Sequence, residues 1–178
     1  WPQFMTGIEK TGNVVGLPKI SHNKRLQITE WLLANDIPRN AVIDVGVIPN
    51  YMVGQILREA DVAVFTNRCE GGTNLVAMES LACGVPTIIS ANTGHLDIIN
   101  DSHCYPVCCQ KYVKPTPHFP GVEGWGESDV EEVVEMLEKV YSDPKNAKLK
   151  SDAAVNFIQD LTWEKQIQSL LVLLQNII

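Results

Sequence analysis

One stretch of the chain, residues 61–90, constrains the fold more than any other. It reads DVAVFTNRCEGGTNLVAMESLACGVPTIIS: an apolar strand pattern, a polar loop with two glycines, a helical pattern and a second apolar strand pattern. The helical pattern stops at Gly84-Val85-Pro86, where a small residue followed by proline is typical of a helix end. Parallel strands need such a helical crossover, so the stretch predicts a βαβ unit with strands over Asp61–Thr66 and Pro86–Ser90.

Short β-rich runs alternate with helical patterns on both sides of this unit. We predict further strands over Ala41–Ile48 and Cys104–Val107, and an edge strand over Asn13–Leu17. These runs are nearly continuous in apolar residues, as expected for strands buried on both faces. The predicted fold class is therefore α/β, with a Rossmann-like parallel sheet flanked by helices and a helical C-terminal tail.

Several helical patterns begin at recognisable capping residues. Asn50 is a predicted cap, and Ser128 and Glu131 have the spacing of a capping box. Residues 110–127 are rich in proline and glycine and are predicted to be a loop. The predicted helices cover residues 21–34 (capped by Ser21), 51–59, 74–82, 95–100, 128–142 and 144–160, with a last one after Thr162.

Length and charge limit the domain count and the class of ligand. The 178 residues are 45% apolar and 20% charged, which predicts one domain with a sheet core over about 1–110 and C-terminal helices over 128–178. The net charge is −7, and residues 123–178 hold eleven acidic and five basic side chains. This balance argues against broad binding to nucleic acid or to anionic membranes. An anionic ligand would have to be held by local donors.

The cysteines and the apolar runs predict a reduced protein without a bound metal. There are five cysteines, and His103, Cys104, Cys108 and Cys109 lack the second ligand pair of a structural zinc site. Free thiols in a reducing compartment are the better interpretation. No run is long enough to span a membrane and no secretory signal is visible, so we expect a cytoplasmic protein.

The loop and helix start of the βαβ unit are the candidate site for an anion. In such a unit they lie at the carboxyl edge of the sheet, where open α/β folds bind ligands. Gly71 and Gly72 let the backbone approach a ligand, and the N–H groups of Thr73, Asn74 and Leu75 would point towards it. Glycine can also serve the turn alone, so the spacing by itself leaves both interpretations open.

Two carboxylates add to the candidate site. Glu70 begins the loop and Glu79 lies inside the following helix. Carboxylates accept hydrogen bonds from the hydroxyls of a ribose or hexose. The alternative is that Glu70 belongs to the turn and Glu79 is a solvated helix residue. Because Glu79 lies between Met78 and Ser80 in a helix expected to be largely buried, the sequence favours the first interpretation.

These residues resemble a known family. The matching residues are Ala60-Asp61-Val62, Glu70-Gly71-Gly72, Asn74–Ser80, Ala82-Cys83-Gly84 and Pro86, with Trp163-Glu164 near the end. They are similar to the C-terminal, donor-binding domain of GT-B glycosyltransferases of the retaining group 1, or family 4, type, related to sucrose and glycogen synthases. The resemblance is strong over residues 42–99 and thinner beyond them.

The resemblance implies an activity and a set of site residues. The parent enzyme would transfer a hexosyl group from a nucleoside-diphosphate sugar to an acceptor hydroxyl, with retention and without a metal or other cofactor. The implied roles are Glu70 at the sugar as the catalytic residue, Glu79 at the ribose, Gly71, Gly72 and the backbone of Thr73, Asn74 and Leu75 at the diphosphate, Ile48–Asn50 at the nucleobase, and Gly94 and His95 lining the donor, with Asp97 at the position of a family glutamate.

The sequence departs from the family pattern in two places. Eight residues separate Glu70 from Glu79, where the family has seven, so strict counting would place Gly71 at the first position. The family's Arg and Lys at the diphosphate have no clear counterpart. Arg68 is a nearby substitute, and the other basic candidates are Lys10, Lys19, Lys24 and Arg25.

The resemblance also implies partners. We expect an N-terminal acceptor domain before Trp1, so that this chain alone would be inactive; no nucleic-acid partner and no membrane contact are expected. An alternative is a non-catalytic nucleotide-binding or interaction domain of the same fold. A flavodoxin-like receiver is a third possibility, but Asp44 and Asp61 do not supply the acidic cluster that it needs.

Overall fold

The computed structural model describes residues 28–45, 47–117 and 119–175, which belong to two compact units divided between Ile48 and Pro49. In the first unit, helix α1 covers Ile28–Ala34 and a 3₁₀ turn covers Arg39–Ala41. The side-chain amide of Asn35 donates to the Trp31 carbonyl oxygen over 2.8 Å at the end of α1. The predicted edge strand over residues 13–17 and the predicted cap Ser21 lie outside the described residues.

The predicted strand Ala41–Ile48 is wrong for the described residues of that range. Residues 42–45, 47 and 48 have no regular secondary structure, and the Ile43 side chain is 88% exposed. A β-prone run becomes a strand only when a neighbouring strand bonds its backbone and other groups cover its side chains. Within the described part of the chain, no strand pairs with this run.

The second unit contains a parallel sheet at the place that the sequence predicts. Its strands are β1 (Ala63–Phe65), β2 (Thr87–Ser90) and β3 (Tyr105–Val107), in the order β1-β2-β3. All four residues of β2, the central strand, are buried. Ile88 is in register with Val64 on one side and Tyr105 on the other. Burial on both faces explains the apolar run of β2, whereas Val64 of the edge strand β1 is 41% exposed.

Helices cover both faces of this sheet. They are α2 (Asn50–Leu57), α3 (Leu75–Ala82), α4 (Val130–Ser142), α5 (Pro144–Ile158) and α6 (Trp163–Gln175), with 3₁₀ turns at Thr93–Asp97 and Gln159–Leu161. Residues of α3 and α5, including Leu81 and Ala154, form a buried cluster with Ile89. On the other face, Val133 and Met136 of α4 pack against a second cluster. Each described helix is too short or too polar to cross a membrane.

Two of the predicted helix caps are wrong, and the helix predicted over residues 95–100 is instead the 3₁₀ turn at Thr93–Asp97. Asn50 is the first residue of α2, which follows Pro49 and has no side-chain cap. The cap of α4 is Asp129, whose carboxylate accepts from the Glu131 N–H over 3.0 Å and from the Glu132 N–H over 3.4 Å. Ser128 lies one residue before this cap, pairs with Gln110 in a strand, and its hydroxyl accepts from the Gln110 side-chain amide over 3.1 Å.

A two-stranded antiparallel sheet occupies the ends of the predicted loop 110–127. Strand β4 (Gln110–Tyr112) pairs with β5 (Gly126–Ser128). A Cβ at Gly126 would clash with the Gln110 side chain, so the pairing requires glycine there. Both strands are polar and only three residues long, which is why no hydrophobic alternation marks them.

Candidate functional site

The candidate site lies at the carboxyl edge of the parallel sheet, where two segments meet. One is the loop between β1 and α3, and the other is the segment after β2. The Glu70 N–H donates to the Thr93 hydroxyl over 2.7 Å, and the Gly94 N–H donates to the Glu70 carbonyl oxygen over 3.3 Å. The segment after β2 therefore holds the start of the glycine loop in place.

The three predicted site glycines have different surroundings. A Cβ at Gly94 would clash with the carbonyl group of Gly72, so only glycine allows the two segments to approach this closely. By contrast, apart from its neighbours in the chain, no atom of the described residues lies within 4 Å of where a Cβ would sit at Gly71 or Gly72. Packing among the described residues requires glycine at position 94 but leaves open space at positions 71 and 72.

Thr93 has a strained backbone at the junction of the two segments. Its φ angle is +39°, a region that is unfavourable for a β-branched residue and that tends to occur at functional sites. Its hydroxyl donates to the Asn92 side-chain oxygen over 3.1 Å. The buried amide of Asn92 donates in turn to the Asn67 carbonyl oxygen over 2.9 Å and to Gln110 over 3.0 Å. These bonds hold Thr93 in this conformation.

The two predicted carboxylates both reach the surface of the unit. Glu70 is half-buried, and its Oε1 accepts from the Asn67 side-chain amide over 2.9 Å. Glu79 is exposed on α3, on the face opposite the buried Ala77, Ser80 and Leu81. The expectation that α3 is largely buried around Glu79 is therefore wrong, because the helix is buried on one face only.

Asn74 and His95 turn their side chains inwards. Asn74 caps α3, since its Oδ1 accepts from the Ala77 N–H over 3.0 Å. Its amide nitrogen lies 3.0 Å from Nε2 of His95. Nδ1 of His95 lies 3.0 Å from the Ser90 carbonyl oxygen and 3.1 Å from the Ser90 hydroxyl. Both side chains are buried, and residue spacing alone did not predict this contact between distant segments.

The first turn of α3 presents unbonded backbone donors. The N–H groups of Thr73, Leu75 and Val76 form no hydrogen bond within the described part of the chain. Such groups at a helix start carry a partial positive charge. They lie directly after the open glycine loop, so the geometry suits an anionic group of a ligand.

Burial and nearby charge shift two pKa values at the site. Burial lowers the pKa of His95, partly offset by its bond to the Ser90 carbonyl and by the charge of Glu70. His95 is therefore neutral at neutral pH. Burial and then the Glu70 charge raise the pKa of Cys69, so its thiol stays protonated and is a poor nucleophile.

Arg68 is near the loop, but its charge is engaged. Its Nε pairs with the Glu127 carboxylate, and its carbonyl oxygen accepts from the Gly126 N–H over 2.9 Å. The pair is partly exposed, with about a third to a half of each side chain accessible. Lys10, Lys19, Lys24 and Arg25 lie outside the described residues.

The cysteines do not converge on a ligand set in the described structure. No group of three or more His, Cys, Asp or Glu side chains there is arranged to hold a metal ion, and all five thiols are free. Burial raises the pKa of Cys104 to about 11. The N–H groups of Cys108 and Cys109 donate to the two carboxylate oxygens of Glu132 over 3.0 and 2.7 Å.

A groove of about 720 Å³ lies away from the predicted site. It opens beside the amino end of β3, whereas the glycine loop follows the carboxyl end of β1. Its lining contains no predicted donor-site residue and consists of Asp101, Ser102, Tyr105, Pro106, Cys108, Met136, Lys139, Ser142, Asp143, Asn146, Leu149 and Lys150.

Comparison with known proteins gives a family and a fold. Residues 51–170 match the model of a family described as "Family 4 Glycosyltransferase in conflict systems". A sucrose-phosphate synthase from Thermosynechococcus elongatus is similar in structure, with 22% identity, a TM-score of 0.62 and coverage of 85% of this chain and 34% of the synthase chain. No curated protein matches the chain.

Two solved structures of HepE from Anabaena are also similar. One, in complex with UDP, has 12% identity and a TM-score of 0.60, covering 82% of this chain and 36% of that one. The other, with UDP and glucose, has 16% identity and a TM-score of 0.59, covering 82% and 35%. The chain thus spans about a third of these relatives. The predicted fold class, a parallel sheet flanked by helices as in one half of a GT-B fold, is confirmed.

Proposed function

The chain belongs to the family 4 glycosyltransferases of conflict systems, and we propose on that premise that it forms the donor-binding part of such an enzyme. The proposed donor is a nucleoside-diphosphate sugar. The proposed reaction transfers its hexosyl group to an acceptor hydroxyl with retention, and an N-terminal domain of the parent protein supplies the acceptor side. In this proposal residues 1–178 act as one donor domain, and on their own they have no turnover.

One observation carries the proposal: the unbonded N–H groups of Thr73, Leu75 and Val76 beside the open glycine loop. A diphosphate gains charge when it leaves the sugar, and fixed donors aimed at that charge lower the barrier. Basic side chains would serve the same purpose, but the chain has a net charge of −7 and Arg68 is paired with Glu127. The backbone donors at Gly71, Gly72 and the start of α3 are therefore the proposed diphosphate site, and the proposal includes no metal ion there.

The two carboxylates are proposed to recognise the sugars. Asn67 occupies one oxygen of Glu70 over 2.9 Å, which orients the other oxygen for a hydroxyl of the transferred hexose. Glu79 follows Leu75 by four residues, so it lies on the same exposed face of α3, about 6 Å further along the axis. A ribose diol can donate two hydrogen bonds to that carboxylate.

Gly94 and His95 also belong to the proposed site. Gly94 lies against Gly72 and leaves room at the glycine loop. The His95 ring is buried, so it does not line the donor directly. It lies behind the loop, where it contacts Asn74. Ile48 is the last residue of the first unit, and its role at the nucleobase stays a prediction from the resemblance.

Nucleotide binding by this chain tests the proposal. We expect calorimetry to detect binding of at least one of UDP, GDP and ADP, and Glu79→Gln to weaken it about ten- to a hundredfold, as for loss of a hydrogen bond to a charged group. Glu138→Gln is the matched control, since it changes an exposed helical glutamate on α4. A folded chain that binds none of the three nucleotides at millimolar concentration would overturn the donor-site assignment.

A second candidate function is a non-catalytic domain that binds a nucleotide or a protein without turnover. The ion pair between Arg68 and Glu127 favours it, because it leaves the loop without a free arginine from the described residues nearby. Donor hydrolysis by the whole parent protein separates the two candidates. Turnover that falls in Glu79→Ala supports the enzyme, while nucleotide binding with no turnover in either protein supports the second candidate.

A further inference from the structure

A buried hydrogen-bonded chain links three segments behind the candidate site. It runs from the cap of α3 at Asn74, through His95 in the segment after β2, to Ser90 at the end of β2. The Ser90 hydroxyl donates to the Asn67 carbonyl oxygen over 2.9 Å, in the loop after β1. His95 and Ser90 are 0% exposed and Asn74 is 6% exposed.

The bonding partners determine which His95 nitrogen carries the proton. Asn74 Oδ1 is oriented by the Ala77 N–H, so the Asn74 group facing His95 is the amide NH₂, which can only donate. His95 Nε2 must therefore accept, and Nδ1 carries the hydrogen and donates to the Ser90 carbonyl oxygen. A second proton on Nε2 would oppose the Asn74 amide.

The residue before His95 holds the other end of the loop. The Gly94 N–H donates to the Glu70 carbonyl oxygen, and the Gly94 backbone lies against the Gly72 carbonyl. Residues 94 and 95 thus contact both the beginning and the end of the glycine loop, the part of the chain that holds the proposed donor residues.

We propose that His95 is a positioning residue for the donor site. By accepting a hydrogen bond from the Asn74 amide, it fixes the orientation of the side chain that caps α3, and so the direction of the unbonded N–H groups at the start of the helix. This inference rests on the proposed function. The ring lies behind the loop and acts on the ligand through Asn74 and the backbone. Neutral histidine suits this task because it accepts at one ring nitrogen and donates at the other.

Two amide substitutions separate the two bonds of His95. The longer side chain of His95→Gln can place an oxygen near the position of Nε2 and accept from Asn74. The shorter side chain of His95→Asn can replace Nδ1 towards Ser90 but does not reach Asn74. We expect His95→Asn to weaken UDP binding by the chain roughly five- to tenfold, the effect of one lost cap, and His95→Gln to stay within about twofold of wild type.

Calorimetry with UDP, and urea unfolding of each protein, distinguish the outcomes. Equal UDP affinity in wild type and both folded variants would mean that His95 has a structural role only, and would overturn this inference while leaving the proposed function intact. Absence of UDP, GDP and ADP binding in the wild type would overturn the proposed function itself. UDP affinity that is retained in His95→Gln and lost in His95→Asn supports the positioning role. A loss of packing alone would not depend on whether the new side chain can accept from Asn74.

A spectroscopic measurement covers the case in which a variant does not fold. Nitrogen-15 NMR of the wild-type chain should show His95 as the Nδ1–H tautomer, with Nε2 unprotonated. In Asn74→Asp, the new carboxylate can only accept from a ring N–H, so the proton should move to Nε2 or a second proton should be bound. A wild-type ring protonated on Nε2, or a ring unchanged by Asn74→Asp, would contradict the proposed bond.

Discussion

Gly94→Ala tests the close approach of the two site segments. The new methyl group would lie 2.6 Å from the Gly72 carbonyl carbon and 3.1 Å from the Glu70 carbonyl oxygen, and it would clash with the Gly72 oxygen. Ordinary carbon contacts are about 3.5–4.0 Å, so the loop backbone must retreat by about 1 Å or more. Overpacking of this kind costs about 1–3 kcal/mol, and loss of the Gly94–Glu70 hydrogen bond adds about 1 kcal/mol. We expect the free energy of unfolding to fall by about 2–4 kcal/mol.

Urea unfolding measures this change, and Gly71→Ala is the matched control. Among the described residues, only the chain neighbours come within 4 Å of the methyl position at residue 71, so the control should change the free energy of unfolding by about 1 kcal/mol or less, in either direction. Gly94→Ala should also weaken UDP binding relative to wild type, because the displaced loop carries the proposed diphosphate site. Equal unfolding free energies for Gly94→Ala and wild type would refute the proposed contact.

Three further changes test the core, the cap and the buried histidine. Leu81→Ala removes a fully buried side chain and should lower the free energy of unfolding by about 2–5 kcal/mol, whereas Leu75→Ala, at a side chain 68% exposed, should change it by about 0.5 kcal/mol or less. Asn74→Ala should cost about 1–3 kcal/mol in the same assay, because α3 loses its cap and His95 Nε2 loses its donor. Burial lowers the pKa of His95 below its ordinary 6.5, so the unfolded state binds the proton at a higher pH than the folded state does. The free energy of unfolding should therefore fall as the pH drops below about 6.5. A His95→Gln protein with the same pH dependence as wild type would contradict this prediction.

The parallel sheet could be predicted because its strands are continuous runs of mostly apolar residues in the sequence. The runs that became β1, β2 and β3 are apolar on both faces, and the helix between β1 and β2 ends at a glycine with a φ angle of +71°. Ala41–Ile48 has a similar composition, but its described residues form no strand, and no described strand pairs with them. Composition predicts the tendency to form a strand, but a strand forms only where a neighbouring strand pairs with its backbone and other segments cover its side chains.

The sequence predicted which residues form the candidate site, but not the contacts and distances between them. The glycine loop and α3 follow from local patterns, since each element is continuous in sequence. The contacts of Asn74 with His95 and of Gly72 with Gly94 join segments about twenty residues apart, and no local pattern encodes them. The exposure of Glu79 depends on which face of α3 meets α5, and this is a property of the packing.

Amide chemical-shift mapping with UDP tests the central claim most directly. In a nitrogen-15 correlation spectrum of the chain, the amides of residues 71–76 should shift most as UDP is added, since the diphosphate is proposed to bind N–H groups of this loop and helix start. The amides of Tyr105, Asn146 and Lys150, at the groove beside the amino end of β3, should not move. Shifts at those groove residues without shifts at residues 71–76, or no shifts anywhere at millimolar UDP, would contradict the account.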